Sequence, residues 1–264
     1  MFRLKRASPV AAKDDPPLAA RMAAAYDASA RGDYAAALEI WGPLAHAGIT
    51  RAQNNIGACF AEGLGVERDA AMAARWLSLS AEAGDAVGLR NYAALYFKGD
   101  GVDQNYVRAA ELYRAAAEKG DAPAQDMLSW MLLEGDAIPL DIVEARRWAL
   151  AAAEQDIAAA MTRLGMIYHN ALGVERDPAA AAHWWQLAAE RGDADGQAML
   201  GAAIYLGAGV PREGLAALTW LLRAQAGGSA LATPFLQPAR ALLSPAEVAE
   251  AERRAAASLP EVTQ

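Results

Sequence analysis

The chain has 264 residues, a net charge of −8 and 55% apolar residues, many of them alanine. An alanine-rich, charged chain with few aromatics reads as helical, and the acidic balance argues against a general nucleic-acid binder, which needs a basic stripe. A single cysteine, Cys59, excludes an intramolecular disulfide framework and points to a reducing, cytoplasmic home; no apolar run reaches the ~18 residues of a membrane span.

The N-terminus, Met1-Phe2-Arg3-Leu4-Lys5-Arg6, is basic but lacks the apolar centre of a secretory signal. The cluster of Arg3, Lys5 and Arg6 without an early acid also fits a mitochondrial-type presequence; the plainer reading is a solvated tail. Asp14-Asp15-Pro16-Pro17 ends it, because paired prolines cannot sit in a helix interior, so residues 1–17 are expected to be a flexible lead-in. Helices follow at Leu18–Ala30, ended by Gly32, and at Tyr34–Ala47, with Asp33 as N-cap and Gly48 as terminator. Residues 18–48 form an atypical first helix pair of the kind that caps a repeat array.

Gly63-Leu64-Gly65-Val66, followed by Asp69 and Trp76, then recurs four times at a constant step of 36 residues, ending at Gly207-Ala208-Gly209-Val210 with Glu213 and Trp220. A fixed period of roughly 20–50 residues marks a repeat array and outranks other fold signals. Each repeat reads as two helices. In the first, helix A covers Arg51–Glu62 and helix B Ala70–Glu82. Ala52, Ile56, Gly57 and Phe60 share one face of helix A. Gly63 stands where the chain leaves helix A in a left-handed conformation, and Asp69 caps helix B; Asp177-Pro178 is the same start with proline at the first helical position. Gly84, Gly120, Gly192 and Gly228 close four of the B helices, and Asp156 stands at the third. Ala171 replaces the first turn glycine of repeat four. Ala137 replaces the second of repeat three, whose turn, with Pro139, is expected to differ in shape.

Helix B carries two large-residue columns: Trp76, Leu112, Trp148, Trp184 and Trp220; and Trp41, Leu77, Tyr113, Ala149, Trp185 and Leu221. Ala73, Ala109, Ala145, Ala181 and Ala217 lie one turn before the first. Aromatics at a repeat period read as core, and truncating Trp148 is expected to lower the melting temperature by several degrees. After Gly228, Leu231–Leu243 looks like a degenerate helix A interrupted by Pro234 and Pro238. Ser244-Pro245-Ala246-Glu247 is a capping box opening a last helix, Pro245–Ser258. Residues 229–264 are thus read as C-terminal capping helices, and residues 49–228 as five repeats.

The pattern resembles the Sel1-like repeat, a relative of the tetratricopeptide repeat. Ala52, Ile56-Gly57, Phe60, Gly63, Gly65-Val66, Asp69, Ala73, Trp76 and Gly84 match it in repeat one. In repeat four, Ala160, Leu164-Gly165, Tyr168, Gly173-Val174, Asp177, Ala181, Trp184, Ala188-Ala189-Glu190 and Gly192 match. The resemblance implies an all-α, right-handed solenoid of antiparallel helix pairs, with a tetratricopeptide-like first pair, acting as an adaptor for partner proteins or peptides, often in bacterial signalling or assembly. Secreted members of the family pair cysteines within each repeat; with Cys59 alone, this chain stands apart from them.

If tetratricopeptide geometry carries over, helix A lines a concave groove and its non-core columns meet the ligand. Arg51, Asn54, Asn55, Arg90, Asn91 and Lys98 gather cationic and amide donors in the first two repeats, suited to a carboxylate. Asp126, Met127, Trp130 and Arg163 follow in the next two. Trp130 is the one tryptophan outside the helix-B columns and, with Met127 and Met166, is a candidate apolar anchor. The plainer readings are a solvated polar face and, for Trp130, core packing.

No catalytic, cofactor or metal constellation emerges. His46, His169 and His183 fit no metal spacing, and Cys59 has no sequence-adjacent base to activate it. Gly-x-Gly-Val recurs without a preceding strand or a following Gly-Lys-Ser/Thr, so it is turn chemistry. The leading reading is a non-enzymatic interaction scaffold without cofactor. The alternatives are a β-lactam-binding or -hydrolysing enzyme, which some Sel1-like proteins suggest, and a regulator docked on a signalling kinase or membrane complex.

Overall fold

Most B helices start where the sequence supplies a side-chain acceptor for an unpaired N–H group of the first turn. In the computed structural model, which describes residues 16–259, the helices are α1 (Leu18–Ala30), α2 (Tyr34–His46), α3 (Thr50–Glu62), α4 (Ala70–Glu82), α5 (Ala86–Lys98), α6 (Tyr106–Ala117), α7 (Ala122–Glu134), α8 (Ile142–Ala153), α9 (Ala158–His169), α10 (Pro178–Glu190), α11 (Ala194–Leu206), α12 (Gly214–Ala226), α13 (Thr233–Ala241) and α14 (Pro245–Ala256). The expected basic tail and its presequence alternative lie outside the described residues, apart from Pro16 and Pro17. Asp33, Asp69, Asn105, Asp141 and Asp177 each accept the N–H three residues on, at 2.9–3.1 Å, and so open α2, α4, α6, α8 and α10. Glu213 occupies the same column but makes no cap bond; its side chain is one methylene longer. Asp85 and Asp193 cap the A helices α5 and α11.

The A-to-B turns use the left-handed exit predicted for them. Gly63 has φ 72°, and the N–H of Leu64 reaches back to the carbonyl of Cys59 at 2.9 Å. The second turn glycine has a further role: a Cβ on Gly101 would lie 2.1 Å from the Ala70 carbonyl oxygen, so the turn abuts the first residue of the preceding repeat's helix B. Among the described residues two with side chains hold the left-handed conformation, Asp156 at φ 67° and Ala171 at φ 57°, where their neighbouring repeats use glycine. Repeat three does turn differently. Gly135 is left-handed and Ala137 is not. Elsewhere a side chain two residues after the turn valine clamps the end of helix A: Arg68 donates to Ala61 O, Gln104 to Phe97 O, Arg176 to His169 O and Arg212 to Leu206 O, at 3.0–3.2 Å. Repeat three has Leu140 there, 57% exposed.

The helices form two compact units, one ending at Asp121 and the other beginning at Ala122. In the N-terminal unit α1 packs on α2, α3 on α4 and α5 on α6, with α2 on α3 and α4 on α5 joining the pairs. In the C-terminal unit α7 packs on α8, α9 on α10 and α11 on α12, linked by α8 on α9 and α10 on α11. Its end differs from the expectation for Leu231–Leu243. A short 3-10 turn (Ala230–Ala232) leads directly into α13, with Pro234 in the first turn, where the missing N–H costs nothing, and Pro238 inside the helix. The Ser244–Glu247 capping box opens α14, which packs on α12.

Of the two large-residue columns, the second is the spine. Trp41, Leu77, Tyr113, Ala149, Trp185 and Leu221 are all buried, whereas Trp76, Trp184 and Trp220 are only partly so. Small residues on helix A receive the spine: a Cβ on Gly165 would lie 2.2 Å from Trp185 Nε1, and one on Gly57 2.7 Å from Leu77. The Trp185 indole N–H donates to Thr162 O at 3.2 Å, so the ring is buried without an orphaned donor. In the first column Trp148 is 8% exposed, lies under the Arg147 guanidinium at 4.4 Å and donates to Glu144 at 3.1 Å. The alanines at 73, 109, 145, 181 and 217 are fully buried, which lets the helices approach closely.

Candidate functional site

The polar columns of helix A meet different fates in the two units. In the N-terminal unit Arg51 pairs with Asp85 at 3.3 Å. Arg90 places Nη1 between both Asp121 oxygens, at 3.1 and 3.2 Å, and its Nε donates to Asn91 Oδ1 at 3.4 Å. Asn91 in turn donates to Asn54 Oδ1 at 2.9 Å, and Asn54 to Asn55 Oδ1 at 3.4 Å. Asn54 is buried. The buried Asn55 Nδ2 has no hydrogen-bond partner among the described residues. Asn54, Asn55, Arg90 and Asn91 therefore come together, whereas the guanidiniums of Arg51 and Arg90 already hold carboxylates of the same chain. Asp85, the partner of Arg51, is an N-cap of the next helix A, so these bonds tie one repeat to the next. Lys98 stands apart, exposed at the C-terminal end of α5, where a cation complements the helix dipole.

In the C-terminal unit Arg163 pairs with Asp126, one repeat back, and both side chains are mostly buried, at 14% and 16% exposure. Thr162 donates to Asp193 at 2.6 Å. Beside this polar seam lies a cleft of about 370 Å³. Its wall is apolar: Trp130, Leu133, Met166, Ile167 and Leu172. Its rim carries Glu134, Arg163, Asp193 and Asp195. Trp130 and Met166, neighbours in one column, are 36% and 43% exposed, so a wall that would ordinarily be core faces outward. Elsewhere the same column carries only alanine, at Ala58, Ala94 and Ala202. Met127 is half-buried on the same helix as Trp130.

Of the candidates, Trp130 and Arg163 line the cleft, with Asp126 against Arg163. Met166, expected beside Trp130 in the apolar anchor, lines the cleft too, and Glu134 was legible as a member of a helix-A column but not singled out. Asp193 lay outside those columns, and the signal for it was the cap position it shares with Asp85 and Asp121.

The remaining chemistry-bearing side chains are dispersed. The rings of His46, His169 and His183 rest against Trp76, Trp185 and Trp184, at 5.1, 5.4 and 6.0 Å. Cys59 is buried, and loss of water around the thiolate pushes the thiol up to about 11. Among the described residues no group of three or more metal-binding side chains comes together, and no helix is long and apolar enough to cross a membrane.

Comparison with known proteins follows the same lines. No curated protein matches the chain by sequence. Among solved structures, a Sel1 repeat protein from Oxalobacter formigenes is 28% identical, with a TM-score of 0.76 over 89% of this chain and 98% of that one. The protective antigen c5321 of uropathogenic Escherichia coli, described as having an SLR fold, is also 28% identical, with a TM-score of 0.77 over 90% of this chain and 53% of that one. PA5086 of Pseudomonas aeruginosa shares the fold at 18% identity, with a TM-score of 0.53 over 80% of this chain and 83% of that one. The Sel1 repeat model matches five times without a gap, at residues 50–85, 86–121, 122–157, 158–193 and 194–229. With all-helical pairs repeating at that period, the chain belongs to the Sel1 repeat family.

Proposed function

We propose that the protein is a non-enzymatic adaptor that binds a partner protein or peptide on the helix-A face of its C-terminal unit, with the cleft at Trp130 as the anchor site. Sel1 repeat proteins generally serve as interaction scaffolds. The observation that carries the local assignment is the outward-facing pair of Trp130 and Met166 above an apolar cleft, in a column that is otherwise alanine. Large rigid aromatics set in partly desolvated pockets supply most of the energy at interfaces, often ~2 kcal/mol or more each. In the same reading α1–α2 and α13–α14 close the ends of the array, the acidic charge disfavours nucleic acid as the ligand, and the lone reduced cysteine fits a cytoplasmic location.

Affinity capture with the full chain, followed by Trp130→Ala, tests this. Loss of the captured partner with an unchanged circular-dichroism spectrum is the expected result. A partner retained by Trp130→Ala and by Met166→Ala moves the binding surface elsewhere. Arg90→Ala serves as the control, because it breaks a contact within the N-terminal unit and should leave capture intact.

A further inference from the structure

The cleft has a charge as well as a shape. Its one cation, Arg163, is committed to Asp126. Its three carboxylates, Glu134, Asp193 and Asp195, form no ion pair among the described residues. Two of them are held in place. Asp193 accepts from Thr162 at 2.6 Å and from the Gly196 N–H at 2.7 Å, and Asp195 accepts from Ser229 at 2.6 Å. Neutral donors orient these oxygens without cancelling their charge. Glu134 and Asp195 are exposed, at the last residue of α7 and in the first turn of α11. An apolar wall bounded by carboxylates that have no ion-pair partner among the described residues favours a ligand that brings both an apolar side chain and a cation. The sequence-based expectation of a carboxylate ligand concerned a different set of donors, in the first two repeats, whose guanidiniums are paired within the chain.

Resting on the adaptor reading above, we propose that the occupant of the cleft is a cationic peptide segment of the partner. It places one bulky apolar side chain against Trp130 and Met166, and flanking lysine or arginine residues opposite Glu134, Asp193 and Asp195. The carboxylates contribute in two ways: they raise the encounter rate at low ionic strength, and they penalise acidic segments by like-charge repulsion.

Three fluorescein-labelled peptides test this by anisotropy with the full chain. The first has a central leucine flanked on both sides by lysines in a glycine–alanine frame. The second replaces every lysine by glutamate, and the third keeps the lysines and replaces leucine by glycine. The lysine–leucine probe should bind at least about tenfold more tightly than either other probe at roughly 50 mM salt, with the margin over the glutamate probe shrinking as salt rises and the Debye length shortens. Glu134→Gln with Asp195→Asn, both at exposed positions, should weaken that probe about fivefold or more, and Trp130→Ala should abolish its binding. A glutamate–leucine probe that binds equally or better, and depends on Trp130, overturns the charge assignment while leaving the anchor site standing. Failure of every probe to bind up to millimolar concentration overturns the cleft itself as a docking site. Lysine–leucine binding that none of these substitutions changes shows diffuse attraction to an acidic protein and overturns the proposal.

Discussion

In the N-terminal unit the helix-A column of Trp130 carries Ala58 and Ala94; in the C-terminal unit it carries Trp130 and Met166 before returning to Ala202. The columns beside it differ too. Asn54, Asn91, Arg90 and Asp121 run as one hydrogen-bonded chain in the first unit, and the second has the separate pairs Asp126–Arg163 and Thr162–Asp193. One scaffold thus presents a face closed by its own polar groups and a face with an open apolar cleft. On the proposed reading, the residues that tie the repeats and those that meet a partner share a surface, and pairing within the chain distinguishes them.

The contrast can be tested most forcefully through the spine. Trp185→Ala should cost about 3–5 kcal/mol, since it removes a fully buried ring, and lower the melting temperature by roughly 6–20 °C. Trp130→Ala should cost about 1 kcal/mol or less while abolishing partner capture. Equal melting losses for the two tryptophans would make Trp130 a core residue and erase the difference between the faces. Next in size, Arg90→Ala should destabilise by about 1–2 kcal/mol, because it strips a guanidinium from a mostly buried Asp121 carboxylate. Arg240→Ala, whose pair with Glu252 is exposed on both sides, should change stability by about 0.5 kcal/mol or less. Chemical denaturation read by circular dichroism separates these. Ala171→Gly should stabilise by about 0.5–1 kcal/mol, since a left-handed alanine carries a steric cost that exceeds the extra chain entropy of glycine.

The smallest expected effect is at the end of the C-terminal unit. Arg254 and Arg253 hold the Glu250 carboxyl below its ordinary value of 4.5. A carboxyl lowered by folding stabilises α14 above its unfolded value and loses that contribution as pH falls through the folded value. α14 should therefore fray in acid before α10 does, which residue-resolved amide shifts would detect. Simultaneous loss of both helices would show that this ion pair contributes nothing separable.

Helix boundaries were legible because their causes are local. Asp69 and Gly63 act within a few residues of themselves, and α1 and α4 fall at the expected positions. The ranking of the tryptophans was less legible. The two helix-B columns are one residue apart, both lie on a wide apolar stripe, and their order of burial depends on the small residues of helix A facing them, such as Gly57 and Gly165. The fate of the polar columns was hidden for a related reason. Reading along a column compares positions one period apart, whereas Arg90 finds Asp121 31 residues on and Asn91 pairs with Asn54 37 residues back. Trp130 stood out as a candidate because it breaks the pattern, being the one tryptophan outside the helix-B columns.

Burial of Cys59 has a practical use. With its thiol pushed up to about 11, only ~1 in 10,000 of these groups is ionised at neutral pH, and the thiolate is the reacting form. The side chain is also 2% exposed, on the helix that begins the first repeat. A thiol reagent should therefore modify the native chain only during moments when that helix swings open. The chain carries a built-in stopwatch for local opening of its N-terminal unit, readable without labels or substitutions.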